Sequence, residues 1–147
     1  MGRSNAEVAE LLLEYADLFA MDGGDAIRVR SYRKAAEAIA AHPGDLAAVD
    51  VRTIPGVGEA IAAKVEEALR HGTFRRLEEL RAKIPAGARS LLAVPGLGPR
   101  RALRLHAELG VDSPRALAAA IEQGRLDGVR GFGPKTRRDL LEAIAAL

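Results

Sequence analysis

Cysteine and tryptophan are both absent from the chain, and aromatic residues make up only 3% of it. Without cysteine there is no disulfide framework, no thiolate zinc site, no iron–sulfur cluster and no cysteine nucleophile. His42, His71 and His106 are too far apart in sequence to form a local ligand cluster, so a structural metal site is not expected. No apolar run approaches the roughly eighteen residues that a membrane span needs, and the N-terminus lacks the apolar stretch of a signal peptide. These absences predict a soluble, cytoplasmic protein with no membrane partner.

What is present is alanine, leucine and charge at helical spacing, in 147 residues of which 48% are hydrophobic. Strand signals are nearly missing, so the expected fold class is all-α. Ser4 followed by Glu7 reads as a capping box, and Val8, Leu11, Leu12, Tyr15 and Phe19 carry an apolar face until Gly23 and Gly24 stop it. Further helices are expected from about Val29 to Ala41, Gly58 to Arg70, Phe74 to Lys83 behind Thr73, and Ala86 to Leu92. Beyond them come Pro99 to Leu109, Pro114 to Glu122 behind a Ser113 cap, and Pro134 to the C-terminus. The softest boundary, Lys83 to Gly87, predicts two small domains, 1–84 and 85–147. The formal net charge is +2, but it is unevenly spread. Residues 1–50 hold five Lys/Arg against nine Asp/Glu, a net of −4, whereas 51–147 hold seventeen against eleven, a net of +6. An anionic partner is expected on the later part, and eighteen of the 22 basic residues are arginine, whose planar fork suits phosphate oxygens.

An internal repeat carries the functional reading. Ile54-Pro55-Gly56-Val57-Gly58, Val94-Pro95-Gly96-Leu97-Gly98 and Val129-Arg130-Gly131-Phe132-Gly133 each place an aliphatic residue and a spacer before Gly-hydrophobic-Gly. The register continues into the following helix, with apolar residues nine and thirteen places after the first glycine: Val65/Leu69, Leu105/Leu109 and Leu140/Ile144. Two missing Cβ atoms let the backbone take positive φ and let a ligand approach the main chain. The first N–H groups of the next helix have no internal partner and carry the positive end of the dipole, so phosphate oxygen is their natural acceptor. Such contacts position a backbone and carry no base information. Basic side chains follow each turn: Lys64 after the first, Arg100, Arg101 and Arg104 after the second, Lys135, Arg137 and Arg138 after the third. The competing structural reading, that the glycines only make tight helix corners, leaves these recurring charges unexplained.

Nucleotide-binding glycine motifs fit less well. A dinucleotide fingerprint needs a third glycine and a preceding strand, and Gly128 to Thr136 departs from a P-loop because Pro134 separates the glycine from Lys135.

The repeat resembles the helix-hairpin-helix motif, a sequence-independent DNA-binding element of repair proteins, with Arg130 replacing the usual proline in the third copy. Over nearly its whole length the chain resembles the N-terminal region of family X DNA polymerases, of the bacterial type. Arg28 to Ala36, Ile54 to Lys64, Gly72 to Leu77 and Val94 to Pro99 carry that likeness. It implies a lyase-like domain with one hairpin, then a domain with two, both gripping gapped or nicked DNA, within base excision repair, at the nucleoid. No Asp-x-Asp pair occurs in the sequence, so the two-magnesium palm chemistry of that family is not expected from this chain alone. A palm domain or another repair protein is the expected protein partner. The chain reads either as part of such an enzyme or as a stand-alone relative.

The resemblance implies further roles. Lys64 aligns with the Schiff-base lysine of the 5′-deoxyribose-phosphate lyase, which makes β-elimination at Lys64 the alternative function. Arg28, Tyr32 and Arg52 are implied to hold a 5′-phosphate, although Ala60 and Ile27 replace two cationic pocket residues and Glu59 adds an anion beside the turn. Carbonyls of Ile54, Val57, Val94 and Leu97 are implied as ligands for a Na+ or K+ ion, with no other cofactor expected. On the residues alone, Glu37 is placed to pair with Arg33 or Lys34, Phe132 is expected in the core, and the Glu66/Glu67 and Glu78/Glu79 pairs read as surface charge. A protein-interaction scaffold that binds no DNA is the remaining alternative.

Overall fold

A computed structural model describes residues 4–147, and among them only helices and turns occur. The eight α-helices are α1 (Asn5–Met21), α2 (Ala26–Ala41), α3 (Glu59–His71), α4 (Arg75–Lys83), α5 (Ala86–Ser90), α6 (Pro99–Leu109), α7 (Pro114–Glu122) and α8 (Pro134–Ala145). None of them is long and apolar enough to cross a membrane. The chain divides into two compact units, with the boundary between Lys83 and Ile84.

Capping chemistry sets the helix starts. Ser4 and Glu7 form the capping box of α1, and Ser113 accepts the Ala116 N–H at the start of α7. α2 begins three residues earlier than apolar spacing suggests, because Asp25 accepts the Arg28 N–H at 2.9 Å and nucleates the turn ahead of Val29. Thr73 does not cap α4. Its hydroxyl donates to Glu78 at 2.7 Å, and the Arg75 N–H is taken by Glu67 of α3 at 2.5 Å. α5 is shorter than expected, since Leu91–Ala93 tighten into a 3-10 turn that leads into the second glycine turn.

In the first unit, α1 and α2 pack antiparallel around an aromatic cluster. Tyr15 meets Tyr32 edge-on at 4.8 Å and Phe74 at 5.3 Å, and Phe74 is buried to 1% exposure ahead of α4. Asn5 ties the start of α1 to the loop after α2, donating to the carbonyls of His42 and Gly44 and accepting the Leu46 N–H. Arg81 clamps α4 to α1 through both carboxylate oxygens of Glu14, at 2.6 and 2.7 Å. Arg33 pairs with Asp17 of α1 at 2.9 Å rather than with Glu37; tertiary proximity across the helix pair displaces the local i,i+4 option. Burial pushes the Asp17 carboxyl above its ordinary range, and Arg33 opposes that shift.

In the second unit, Ala88 of α5, Leu91, Ala102 and Leu105 of α6, Leu117 and Ala120 of α7, Leu126, Phe132 and Leu140 form the buried core. Phe132 is therefore a core residue, 1% exposed, as its alignment with Val57 and Leu97 implies.

Both tyrosines of the chain lie in the first unit, so their signal reports on that unit alone. Removing the ring in Phe74→Ala is expected to cost about 3–5 kcal/mol, a large share of the stability of a domain this small. Urea unfolding followed by tyrosine fluorescence measures this; an unchanged midpoint would contradict the packing described.

Candidate nucleic-acid interface

Each repeat folds as a tight turn feeding directly into a helix. The N–H of the hydrophobic residue closes the turn onto the carbonyl three residues back: Val57 to Ile54 at 3.0 Å, Leu97 to Val94 at 3.2 Å, Phe132 to Val129 at 3.0 Å. The first glycine sits in the left-handed region in all three, with φ of 90° at Gly56, 85° at Gly96 and 89° at Gly131. Glycine at the third place of the turn is what a type II geometry requires. The second glycine is left-handed only at Gly98, with φ of 80°. Gly58 and Gly133 are extended, so what their missing Cβ leaves open is the space in front of the helix, where it would meet no protein atom within 4 Å.

The hydrophobic residue between the glycines is the anchor. Val57, Leu97 and Phe132 point into the core while the glycines around them stay exposed. Nine places after the first glycine, Val65, Leu105 and Leu140 are buried; thirteen places after it, Leu69, Leu109 and Ile144 are half-buried. A further anchor lies five places before the first glycine. Val51, Leu91 and Leu126 are all buried, and their carbonyls accept the N–H groups of Ile54, Val94 and Val129. Sequence reasoning missed this earlier element, although the apolar residue at that spacing was available in all three copies.

The helices that follow start without any side-chain cap. At the first turn the N–H groups of Gly58, Glu59, Ala60 and Ile61 have no acceptor among the described residues, and the first helical bond is Ala62 to the Gly58 carbonyl. At the second, Gly98, Arg100 and Arg101 are free up to the Ala102–Gly98 bond; at the third, Gly133, Lys135 and Thr136 are free up to Arg137–Gly133. Pro99 and Pro134 carry no N–H, and their fixed φ suits the first helical position. These are the orphan donors of a helix N-terminus, at turns whose glycines are exposed.

The basic side chains divide into free and engaged. Arg100 and Arg138 have no hydrogen-bond, ion-pair or ring partner among the described residues. Arg101 lies over the Phe132 ring at 5.5 Å. Lys135 pairs with Asp139 at 3.0 Å, which raises its ammonium above the ordinary lysine range. Arg104 donates to the Arg130 carbonyl and Arg137 to the Phe132 carbonyl.

Around the first hairpin the electrostatics differ. Arg52 is held bidentately by Glu59 at 2.7 and 2.8 Å, is bonded to Glu66 at 3.0 Å, and lies 3.6 Å from Asp50. Those hydrogen bonds raise Arg52 and hold the Glu59 carboxyl below its ordinary range. Arg28 and Tyr32 do come together, lining a pocket of about 330 Å³ with Ser31, Gly56, Gly58 and Glu59; Arg52 is not among its walls. Burial raises the Tyr32 phenol. Lys64 is half-buried, its Nζ lying 5.6 Å from the Tyr15 ring and 5.5 Å from the Tyr32 ring. Of the carbonyls considered for a cation, those of Ile54 and Val94 already accept the turn-closing N–H, while those of Val57 and Leu97 accept no backbone N–H. The acidic pairs are partnered: Glu66 by Arg52, Glu67 by the Arg75 N–H, Glu78 by Arg81, Glu79 by Arg75 and Arg76.

Comparisons with known proteins agree with this geometry. A helix-hairpin-helix domain family matches residues 3–74, and a SAM-like helix-hairpin-helix tandem family matches residues 88–146. The chain is 31% identical over 139 residues to the DNA polymerase/3′-5′ exonuclease PolX of Bacillus subtilis (strain 168), a stretch that takes in 94% of this chain and 24% of that enzyme. It thus spans about a quarter of the length of the relative it matches. The two units thus carry helix-hairpin-helix domains, and the chain is related to part of a bacterial family X DNA polymerase.

Proposed function

We propose that this chain binds DNA through its backbone phosphates, with little regard to sequence, at gapped or nicked sites in DNA repair. The observation that carries the reading is the set of unpaired main-chain N–H groups at Gly58–Ile61, Gly98–Arg101 and Gly133–Thr136, each on an exposed turn that ends in an uncapped helix. A phosphodiester oxygen satisfies such donors without presenting a base edge. The free Arg100 and Arg138, with Arg101 and Lys135 nearby, add the charge that a polyanion needs. The second unit supplies two such turns with basic helices behind them, so it is the stronger grip. The first hairpin, with Glu59 at its lip and Arg52 occupied by carboxylates, contributes its amides and the Arg28–Tyr32 pocket to a 5′-phosphate end, and does so more weakly. The partner protein in this reading is a polymerase palm domain or another repair factor.

A second reading is favoured by one specific placement. Lys64 sits against Tyr32, which also lines the pocket. There its Nζ, once neutral, would condense with the C1′ aldehyde of a ring-opened abasic sugar, expelling water; β-elimination would then break the C3′–O bond.

Binding to a gapped duplex is expected to weaken linearly in log K against log salt, and Arg100→Gln and Arg138→Gln should each lessen the slope by about 0.9. Shuffling the duplex sequence should leave affinity unchanged. No binding at low salt would remove the reading and make a protein-interaction scaffold the better account. For the lyase, borohydride is expected to trap the chain on abasic DNA, with Lys64→Ala abolishing the adduct; a wild-type chain that forms none has no such activity. Affinity for a gap with a 5′-phosphate should exceed that for a 5′-hydroxyl, and Arg28→Ala should erase the difference. Equal affinities in the wild type would rule out end recognition by the first unit.

A further inference from the structure

The third turn lacks a residue that the other two have. Pro55 and Pro95 occupy the second position of the first two turns, and Arg130 takes that place in the third. Proline there pre-sets φ and removes freedom from the unfolded chain. A turn without it needs other contacts to hold it as firmly, and among the described residues only the third turn has side-chain donors on its carbonyls.

Two guanidinium groups supply the contacts. Arg104, on α6, donates from Nη1 and Nη2 to the Arg130 carbonyl, both at 3.3 Å, with its guanidinium carbon 5.9 Å from the centroid of Phe132. Arg137, on α8, donates from Nη1 to the Phe132 carbonyl at 2.9 Å and lies 3.6 Å from Asp127. A Cβ on Gly131 would stand 3.6 Å from Arg104 Nη1 and 4.0 Å from Arg101 Nε, whereas one on Gly56 or Gly96 would meet nothing within 4 Å. The third turn is roofed and the proline turns are open. The register makes the asymmetry plain: six places after the second glycine stand Lys64, Arg104 and Asp139. Hairpin two therefore braces hairpin three, and the residue that would return the favour is an aspartate paired to Lys135.

We propose that Arg104 and Arg137 are positioning residues rather than phosphate contacts: their forks replace the missing proline, hold the third turn closed and keep the Gly133, Lys135 and Thr136 amides in place. Through Arg104 the two hairpins of the second unit are set in a fixed relation, which two grips on one DNA backbone require. The consequence for DNA affinity rests on the function proposed above; the brace itself does not.

The reporter is the Phe132 N–H, which closes the turn onto Val129. In the full 147-residue chain, Arg104→Lys keeps the charge and loses the fork. Amide exchange at Phe132 is expected to speed up about two- to fivefold, the range that a compatible proline is worth. The Arg130 N–H makes no hydrogen bond, so Arg130→Pro breaks none, and in that background Arg104→Lys should have no effect on exchange. On DNA, Arg104→Gln should weaken binding while leaving the salt slope at its wild-type value. Wild-type exchange in Arg104→Lys, an equal effect in the proline background, or a slope reduced by about 0.9 in Arg104→Gln would each overturn the proposal. A wild-type chain that binds no DNA would defeat the proposed function, and the exchange comparison would still decide the brace.

Discussion

Everything distinctive about this chain depends on a helix N-terminus that is deliberately left without an acceptor. Apart from the glycine turns and the five-residue α5, which has no side-chain cap, side chains serve helix starts: Ser4, Asp25 and Ser113 each accept an N–H of the first turn. At Gly58, Gly98 and Gly133 no side chain does so. A cap is worth about 1 kcal/mol of stability, so three uncapped starts represent stability forgone. The core residues that flank each turn offset it. Val57, Leu97 and Phe132 are each buried between two exposed glycines.

The same backbone device operates in two different electrostatic settings. Second and third turns lead into helices whose opening prolines are followed by Arg100 and Arg101 and by Lys135, so the orphan amides there have cations beside them. The first leads into Glu59, which holds Arg52 with help from Glu66 and Asp50. A carboxylate at the first position of a helix interacts well with the macrodipole, as any acidic N-terminal residue does. An incoming phosphate would have to share that dipole with it. Two hairpins thus have cations beside their free amides, and one has a carboxylate there that is itself tied to Arg52.

Much of this was legible in the sequence, and the limits are physical. Glycine pairs at fixed spacing announce a backbone requirement that only glycine meets, and apolar residues at fixed offsets announce the core, so turns, helices and anchors could all be read locally. The earlier anchors, Val51, Leu91 and Leu126, were as legible but lay outside the window laid over the glycines. The N-cap at Asp25 was missed because apolar periodicity, which begins at Val29, says nothing about the polar turn ahead of it. Partner choice among charges was not legible at all. Arg33 takes Asp17, sixteen residues away, over Glu37; Arg52 binds residues seven and fourteen places on; Arg104 reaches a carbonyl twenty-six residues away. Each such choice is made by tertiary approach, and a count of charges beside a motif cannot reveal it.

Basic residues near a hairpin differ in occupation even where they share a register position. Lys64, Arg104 and Asp139 stand in one register position of three homologous units, and their surroundings give them three occupations. Lys64 rests between two tyrosine rings beside a pocket; Arg104 spans to the next turn; Asp139 neutralises Lys135. Divergence at that position leaves the turn-closing bond present in every copy, and in the second copy it puts a guanidinium on the carbonyl of the third turn. A repeated motif can thus keep one backbone turn in three copies while the side chain at one register position takes a different partner in each.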